Sequence, residues 1–177
     1  MVLYALPILL TVFIRKHIFR PTSSHFSSMR SSQEYRLFMI SKYLMLVYFL
    51  YAIVIPIRLD TSFSLVGAII FIIGFVIYTI AWINMGTSEK GKVFSRGMFR
   101  FSRHPVYISS AVVFLGAGLI SRSWFYLVLS LLVGISHMRN AFAEEQICLH
   151  IFGEEYRQYM TRTPRWFGLP KDSNGLS

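Results

Sequence analysis

The chain has 177 residues, of which 54% are hydrophobic and 15% are charged, and its formal net charge is +10. A mean hydropathy of +0.52 excludes an ordinary soluble domain and predicts an integral membrane protein. The cations flank apolar segments and form no soluble basic module, so we exclude nucleic acid as a partner and expect contact with anionic membrane lipids. Cys148 is the single cysteine, which excludes an intramolecular disulfide.

Five apolar segments predict an all-α fold, a polytopic bundle of transmembrane helices. The first, residues 1–14, has neither a basic stretch ahead of it nor a small-residue cleavage pattern, so we expect a retained anchor rather than a signal peptide. Residues 35–57 and 63–85 reach about 34 Å each as helices, enough to cross a hydrocarbon core of about 30 Å. These two segments are therefore predicted to span the membrane.

The last two apolar segments predict a short helical hairpin. Residues 105–120 and 124–138 reach only about 24 Å as helices, which suits a hairpin with one water-accessible end better than two full crossings. Ser121-Arg122-Ser123 supplies its turn. Small residues inside the apolar runs are predicted to allow close packing between helices, and these are Gly67, Gly74, Gly116, Gly118 and Gly134.

Lys and Arg predict the orientation of the bundle, because cytoplasmic flanks carry their excess. They concentrate in residues 15–42, 86–104 and 139–171, whereas the opposite connections hold only Arg58 and Arg122. This pattern predicts an N-terminus outside and a helical C-terminal tail in the cytoplasm.

A polar pair of motifs falls on that cytoplasmic side. In Arg103-His104-Pro105-Val106-Tyr107, proline suits the first turn of a helix, so the fourth helix is predicted to begin there, with first-turn amides able to hold an anionic group. Glu144-Glu145 follows the last apolar segment. Because a hairpin returns the chain towards its start, we expect the carboxylates to meet His104.

Each of these residues also has a simpler interpretation. His104 could cap a helix, Glu144-Glu145 could form a solvated helix face, and Tyr107 could belong to an interfacial aromatic belt. His150 and Glu154 could share a helix face, but two ligands without a third do not make a metal site, so we predict none. Only the joint spacing of the motifs favours a functional site over these alternatives.

Within the C-terminal half, that spacing resembles the isoprenylcysteine carboxyl methyltransferase family. Related membrane enzymes, the phospholipid N-methyltransferases, share the Arg-His-Pro-x-Tyr and Glu-Glu elements. The matching stretches are Gly97-Met98-Phe99, Arg103-His104-Pro105-Val106-Tyr107, Glu144-Glu145, Phe152-Gly153-Glu154-Glu155-Tyr156-Arg157-Gln158-Tyr159 and Thr163-Pro164-Arg165.

No linker or low-complexity tract divides the chain, so we expect one domain over residues 1–177. The resemblance implies S-adenosyl-L-methionine as cofactor, with a membrane scaffold in 1–90 and the cofactor-binding catalytic part in 91–170. The chemistry of methyl transfer adds the candidate catalytic residues: Glu145 or His104 could assist an amine acceptor in losing its proton, and Arg139 or Arg165 could neutralise an anionic acceptor. Asn140 departs from the family, whose members commonly carry Arg there. The implied cofactor-binding residues are Lys92, Val93, Phe94, Phe99, Arg103, His104, Pro105, Val106, Tyr107 and Glu144.

The sequence therefore predicts a membrane methyltransferase that acts on a lipophilic, isoprenylcysteine carboxylate-like acceptor. Three alternatives stay open at this point. The acceptor could be a phospholipid or a small thiol; the chain could be a membrane steroid or sterol reductase that uses NADPH; or it could be a non-catalytic membrane scaffold. The scaffold alternative leaves the polar motifs without a cause.

Overall fold

A computed structural model of the protein describes residues 32–56, 59–87 and 92–171. These ranges are helical and contain no strand, which confirms the predicted all-α bundle. The predicted first segment, residues 1–14, lies outside them. The elements are α1 (Ser32–Val54), α2 (Ser62–Gly86), a 3₁₀ turn (Gly97–Arg100), α3 (Pro105–Ser121), α4 (Trp124–Phe152) and α5 (Glu154–Arg162).

Three helices in the described ranges are long and apolar enough to cross a membrane, namely Arg36–Val54 within α1, all of α2 and all of α4. The shorter apolar helix is α3, with 17 residues. Side chains such as Val54, Ile72 and Ile135 are more than half exposed on the outside of the bundle. An apolar outer surface of this kind is suited to lipid rather than water.

Glycines bring the backbones of α2 and α3 into contact. A Cβ added at Gly116 would lie 2.5 Å from the backbone nitrogen of Phe71, and one at Gly74 would lie 2.9 Å from that of Val113. Both distances are too short for a real side chain, so only glycine fits. The predicted close packing is confirmed here and at Gly67, whereas Gly134 has only an ordinary contact with Ala111 at 3.5 Å.

The predicted hairpin of α3 and α4 is confirmed, but its second arm is longer than its apolar run. α3 begins at Pro105 with His104 as its N-cap and ends at Ser121, and its C-cap Arg122 adopts a left-handed conformation with φ 54°. α4 then continues as one helix of 29 residues to Gly153, whose φ is 53°. The reason is that residues 139–152 contain no helix breaker and bury Ala141 and Ile147.

α1 packs against α4 through aromatic rings and polar side-chain contacts. The Tyr48 ring stacks on Tyr126 with centroids 4.6 Å apart and meets Phe114 edge-on at 4.9 Å. Nearer the other end, the Asn140 amide nitrogen donates to the Ser41 hydroxyl at 3.0 Å. These contacts fix α1 beside the arm that carries the acidic pair.

The chain after α5 folds back over the start of α3. Arg103 N donates to Pro164 O at 3.0 Å and Gly168 N donates to Phe101 O at 3.0 Å. We call residues 163–171 the C-terminal strap. Its position brings a segment distant in sequence against the Arg-His-Pro motif.

Candidate active site

The first polar group of the site is built around Glu145, which is 1% exposed. Its Oε1 lies 3.2 Å from His104 Nε2 and 3.3 Å from Arg103 Nη1. The hairpin therefore brings together the two motifs that the sequence analysis expected to meet. A carboxylate buried this deeply is stabilised in its charged form only by such partners.

Arg165 of the C-terminal strap completes this group. Its Nε lies 3.1 Å from both Glu145 oxygens and its Nη2 lies 2.8 Å from Oε2, a bidentate arrangement. These hydrogen bonds raise the pKa of Arg165 above its usual value, so the guanidinium stays charged. We call Glu145, Arg103, His104 and Arg165 the Glu145 cluster.

The strap is attached by more than the ion pair. Ser102 Oγ donates to Arg165 O at 3.3 Å, and the same hydroxyl accepts from His104 N at 3.1 Å. The Trp166 ring lies 6.2 Å from the His104 ring and 6.0 Å from the Phe142 ring. Sequence reasoning missed Ser102 and Trp166, although Trp166 directly follows Arg165 and an aromatic beside a predicted site residue was a usable signal.

The Glu144 side chain lies in a different environment from that of Glu145. It is half-buried and accepts a hydrogen bond from the Tyr107 hydroxyl. Tyr107 in turn stacks obliquely against His104, with ring centroids 5.8 Å apart. Glu144 and Tyr107 thus form a second polar group beside the Glu145 cluster.

The aromatic residues before α3 form one wall of this region. The Phe94 and Phe99 rings lie 5.8 Å apart, and Phe99 is buried. Tyr159 of α5 donates its hydroxyl to Phe99 O at 2.7 Å. Burial raises the pKa of Tyr159 above its usual range, so this phenol keeps the proton that it donates.

The segment before this wall is attached to α5. Val93 N donates to Glu155 Oε1 at 3.4 Å, and Lys92 is exposed beside it. The structure therefore places Val93 next to the tail helix; that residues 92–94 close over a cofactor stays a prediction.

The start of α3 offers fewer free amides than predicted. Pro105 has no N–H, and the Tyr107 amide donates to His104 O at 3.1 Å. Val106 supplies the remaining amide of the first turn. An anionic group at this position would therefore depend on side chains more than on the helix start, which corrects the expectation from the sequence.

Arg139 and Asn140 do not join the Glu145 cluster. Arg139 is exposed and lies roughly 120° around α4 from Glu145, so the structure does not support its predicted role in neutralising an acceptor. Asn140 is 8% exposed and donates to the Ser41 hydroxyl. At this position the side chain holds α1 rather than facing the polar groups.

An apolar cavity of about 180 Å³ adjoins Tyr107 on the membrane side. All four long helices contribute to its wall, including Phe49 of α1, Trp82 of α2, Phe114 of α3 and His137 of α4. Sequence reasoning missed His137, which lies one residue before the end of the last apolar segment. An ionisable residue inside such a segment is itself a signal of function.

The arrangement can bind a polar ligand and an apolar one side by side. The Glu145 cluster and the Glu144–Tyr107 pair form the polar part, and Tyr107 also lines the cavity. Over the described ranges, no three His, Cys, Asp or Glu side chains form a group that could hold a metal.

Comparison with known proteins bears on this arrangement directly. The family model described as phospholipid methyltransferase matches residues 62–155, which are more than half of the chain and include both acidic residues and the Arg-His-Pro motif. No curated protein is significantly similar to the chain. Together with the three apolar helices, the match identifies an integral membrane protein with the fold of a membrane methyltransferase. The chain therefore belongs to the phospholipid methyltransferase family.

Proposed function

We propose that the protein transfers a methyl group from S-adenosyl-L-methionine to a lipophilic acceptor within the membrane. One observation carries the proposal: Tyr107 belongs to both halves of the site, since its hydroxyl binds Glu144 and its ring lines the apolar cavity. A polar donor and an apolar acceptor could thus be held on two sides of one residue. Holding two reactants in line contributes roughly 7 to 11 kcal/mol to lowering a barrier.

The polar residues fit the chemistry of this cofactor. The Arg103 side chain is 8% exposed, and its Nε has no hydrogen-bond partner among the described residues. A buried donor without an acceptor suits the cofactor's carboxylate. Glu144 suits its ammonium or ribose hydroxyls, and Phe94 and Phe99 offer apolar contacts. When bound, the cofactor supplies a methyl group that is already activated on a sulfonium sulfur.

Glu145 takes a positioning role in this proposal rather than the proton-accepting role predicted from the sequence. Its two oxygens are occupied by Arg103, His104 and Arg165, so they have little capacity to accept a proton. The same contacts commit Arg165 to Glu145 and not to an anionic acceptor. Glu145 thereby holds the strap and the start of α3 in register with Glu144.

The cofactor site is proposed to face the cytoplasm, with the N-terminus outside, because the basic segments 86–104 and 139–171 flank it. The isoprenylcysteine carboxylate predicted as acceptor would need a cation near its carboxylate. Arg165 is bonded to Glu145, and Asn140 stands where relatives commonly carry Arg. The acceptor is therefore better sought among lipophilic molecules without a carboxylate.

Calorimetric titration of the purified protein in detergent tests the proposal. We expect S-adenosylhomocysteine to bind and NADPH not to bind. Glu144→Gln should weaken S-adenosylhomocysteine at least about tenfold, because hydrogen bonds to a charged group contribute about 1.5 to 3 kcal/mol. The matched control is Glu154→Gln, since Glu154 is 70% exposed on α5 and pairs with the equally exposed Arg157.

Two outcomes would overturn this function. Binding of NADPH without S-adenosylhomocysteine would favour the reductase alternative, and binding of neither would favour a non-catalytic scaffold. An equal affinity in the Glu144→Gln and Glu154→Gln variants would show that Glu144 does not contact the cofactor.

A further inference from the structure

The C-terminal strap exposes large apolar side chains although it lies outside the three helices that are long enough to cross the membrane. Phe167 is 76% exposed and Leu169 is 83% exposed. Gly168, between them, donates its N–H to Phe101 O at 3.0 Å, which places Phe101, itself 37% exposed, beside them. Neighbouring apolar side chains that stay exposed together mark an interaction surface.

The strap has an inner and an outer side. On the inner side, Arg165 is bonded to Glu145. On the outer side, Phe167, Leu169 and Lys171 are exposed and alternate with half-buried residues. The inner side is thus occupied by the Glu145 cluster, and the outer side carries the apolar side chains.

Three exposed cations surround these apolar side chains. Arg100 directly precedes Phe101, and Lys171 N donates to Arg162 O at 2.9 Å. None of the three cations forms an ion pair with another residue that the structure describes, and residues 157–171 contain no Asp or Glu. The strap surface, as we call the outer side chains listed next, is therefore both apolar and positively charged. It consists of Phe101, Phe167 and Leu169 with Arg100, Arg162 and Lys171.

The α4 helix gives the depth of this surface in the membrane. Trp124, 82% exposed, begins α4 at the turn of the hairpin. Phe142 follows 18 residues later, about 27 Å along the helix, which is close to the thickness of a hydrocarbon core, about 30 Å. The Trp166 ring lies 6.0 Å from the Phe142 ring, and the Arg165 guanidinium carbon lies 4.2 Å from its centroid. The strap is therefore at the level where the hydrocarbon core ends and the headgroups begin.

A lipid interface matches both parts of the strap surface. Apolar side chains at this level can enter the outer acyl region while neighbouring Lys and Arg contact anionic headgroups. Long basic side chains can also extend away from the hydrocarbon towards the headgroups. The single sign of the charge favours an anionic partner over a neutral one.

We propose that the strap surface docks onto anionic phospholipid headgroups on the side of the membrane proposed to be cytoplasmic. Phe167 and Leu169 enter the outer acyl region, and the three cations of the surface contact the headgroups. The strap is then attached on two sides, by Arg165 to Glu145 and by its outer side chains to lipid. This inference does not depend on the proposed methyl transfer.

A spin label on the strap tests its depth. Cys148 is the single cysteine, so a Cys148→Ser background permits one label at a time, in Leu169→Cys or in Glu154→Cys. The protein is placed in nanodiscs of phosphatidylcholine alone, or of equal parts of phosphatidylcholine and phosphatidylserine. With phosphatidylserine, we expect the label at position 169 to be relaxed more by oxygen, which concentrates in lipid, than by a water-soluble nickel complex. The label at position 154, a 70% exposed site on α5, should show the opposite preference.

Removal of charge tests the role of the cations. The triple variant Arg100→Gln, Arg162→Gln and Lys171→Gln should shift the label at position 169 towards water and lower the preference of the protein for spin-labelled phosphatidylserine over phosphatidylcholine. High salt should act on the parent protein in the same direction, because it screens exposed charges. Arg157→Gln is the matched control, since Arg157 is 71% exposed and lies roughly 140° around α5 from Arg162. It should leave both measurements unchanged.

Three outcomes would overturn the inference. A label at position 169 that the nickel complex reaches freely in both lipid compositions would exclude docking onto the membrane. Shielding of that label from both reagents would show that protein, rather than lipid, covers the strap surface. Equal insertion with and without phosphatidylserine, or in the parent protein and the triple variant, would exclude recognition of anionic headgroups.

Discussion

The two ends of the α3–α4 hairpin carry ion pairs of opposite kinds. At the open end, Glu145 is 1% exposed and holds Arg103, His104 and Arg165. At the turn, Arg122 pairs with Asp60 at 3.0 Å, but the two side chains are 39% and 63% exposed. The comparison teaches that burial, rather than the presence of charge, decides how strongly the fold depends on an ion pair.

This asymmetry also separates the functional end from the structural one. At the turn, the hairpin is held by local contacts: Ser123 Oγ accepts from Tyr126 N, Ser121 Oγ accepts from Ser123 N, and Arg122 is left-handed. At the open end, Glu145, Arg103 and His104 are buried away from water. These buried charges lie beside Glu144 and Tyr107, the residues on which the proposed function rests.

The largest effect is expected from Glu145→Ala, which tests the buried end of the comparison. Removing this carboxylate leaves two guanidinium groups without their acceptor, and breaking a buried pair costs about 3 to 5 kcal/mol of the free energy of unfolding. Denaturant titration in detergent micelles measures the change. The control is Glu154→Ala, an exposed position, where a loss as large as that of Glu145→Ala would contradict the comparison.

Gly116→Ala tests the packing that connects the two ends. Its new Cβ would meet the Phe71 backbone at 2.5 Å, and overpacking of this kind costs about 1 to 3 kcal/mol. Gly134→Ala is the matched control, because its Cβ would meet Ala111 at an ordinary 3.5 Å. If thermal unfolding in detergent gave both variants the same midpoint, the close contact of α2 and α3 would be wrong.

Asn140→Ala sharpens the comparison at the open end. It removes the hydrogen bond to Ser41 without touching a charge, so we expect a loss of about 0.5 to 1.5 kcal/mol in the free energy of unfolding. Gln146→Ala, an exposed position on the same helix, should change stability less. A loss near that of Glu145→Ala would mean that neutral contacts hold this end as firmly as charged ones.

The smallest effect is expected from Asp60→Asn at the turn. Exposed ion pairs contribute about 0 to 1 kcal/mol, and salt screens what remains. The difference from the parent protein in free energy of unfolding should therefore shrink further when the salt concentration rises. A loss above about 2 kcal/mol, unchanged by salt, would show that the turn is not the weaker end.

Much of the fold could be predicted because apolar length and proline position are local signals. Pro105 marked the start of α3, Ser121-Arg122-Ser123 the turn, and the glycines of α2 the close packing. The end of α4 was predicted too early for a physical reason. Apolar content measures contact with lipid, whereas the helix continues for as long as no breaker occurs, which here is until Gly153.

The site could be predicted only in part, because motif spacing gives proximity but not direction. The meeting of His104 with Glu145 followed from the hairpin. The sequence does not indicate that the two adjacent carboxylates have different partners: Glu145 pairs with the cations, whereas Glu144 accepts from Tyr107. Likewise, Arg139 and Asn140 resembled site residues by position, yet the helix turns them towards solvent and α1.

The glycine contacts between α2 and α3 have a mechanical consequence. The main chains of α2 and α3 touch at Gly67, Gly74 and Gly116, so rotamer changes cannot separate them. We expect the two helices to move as one rigid unit. The opposite wall, formed by α1 and α4, is joined by aromatic rings and by side-chain contacts such as Asn140–Ser41 and His137–Met45. We therefore expect any opening of the bundle towards the bilayer to occur between α1 and α4, where Met45 contacts His137.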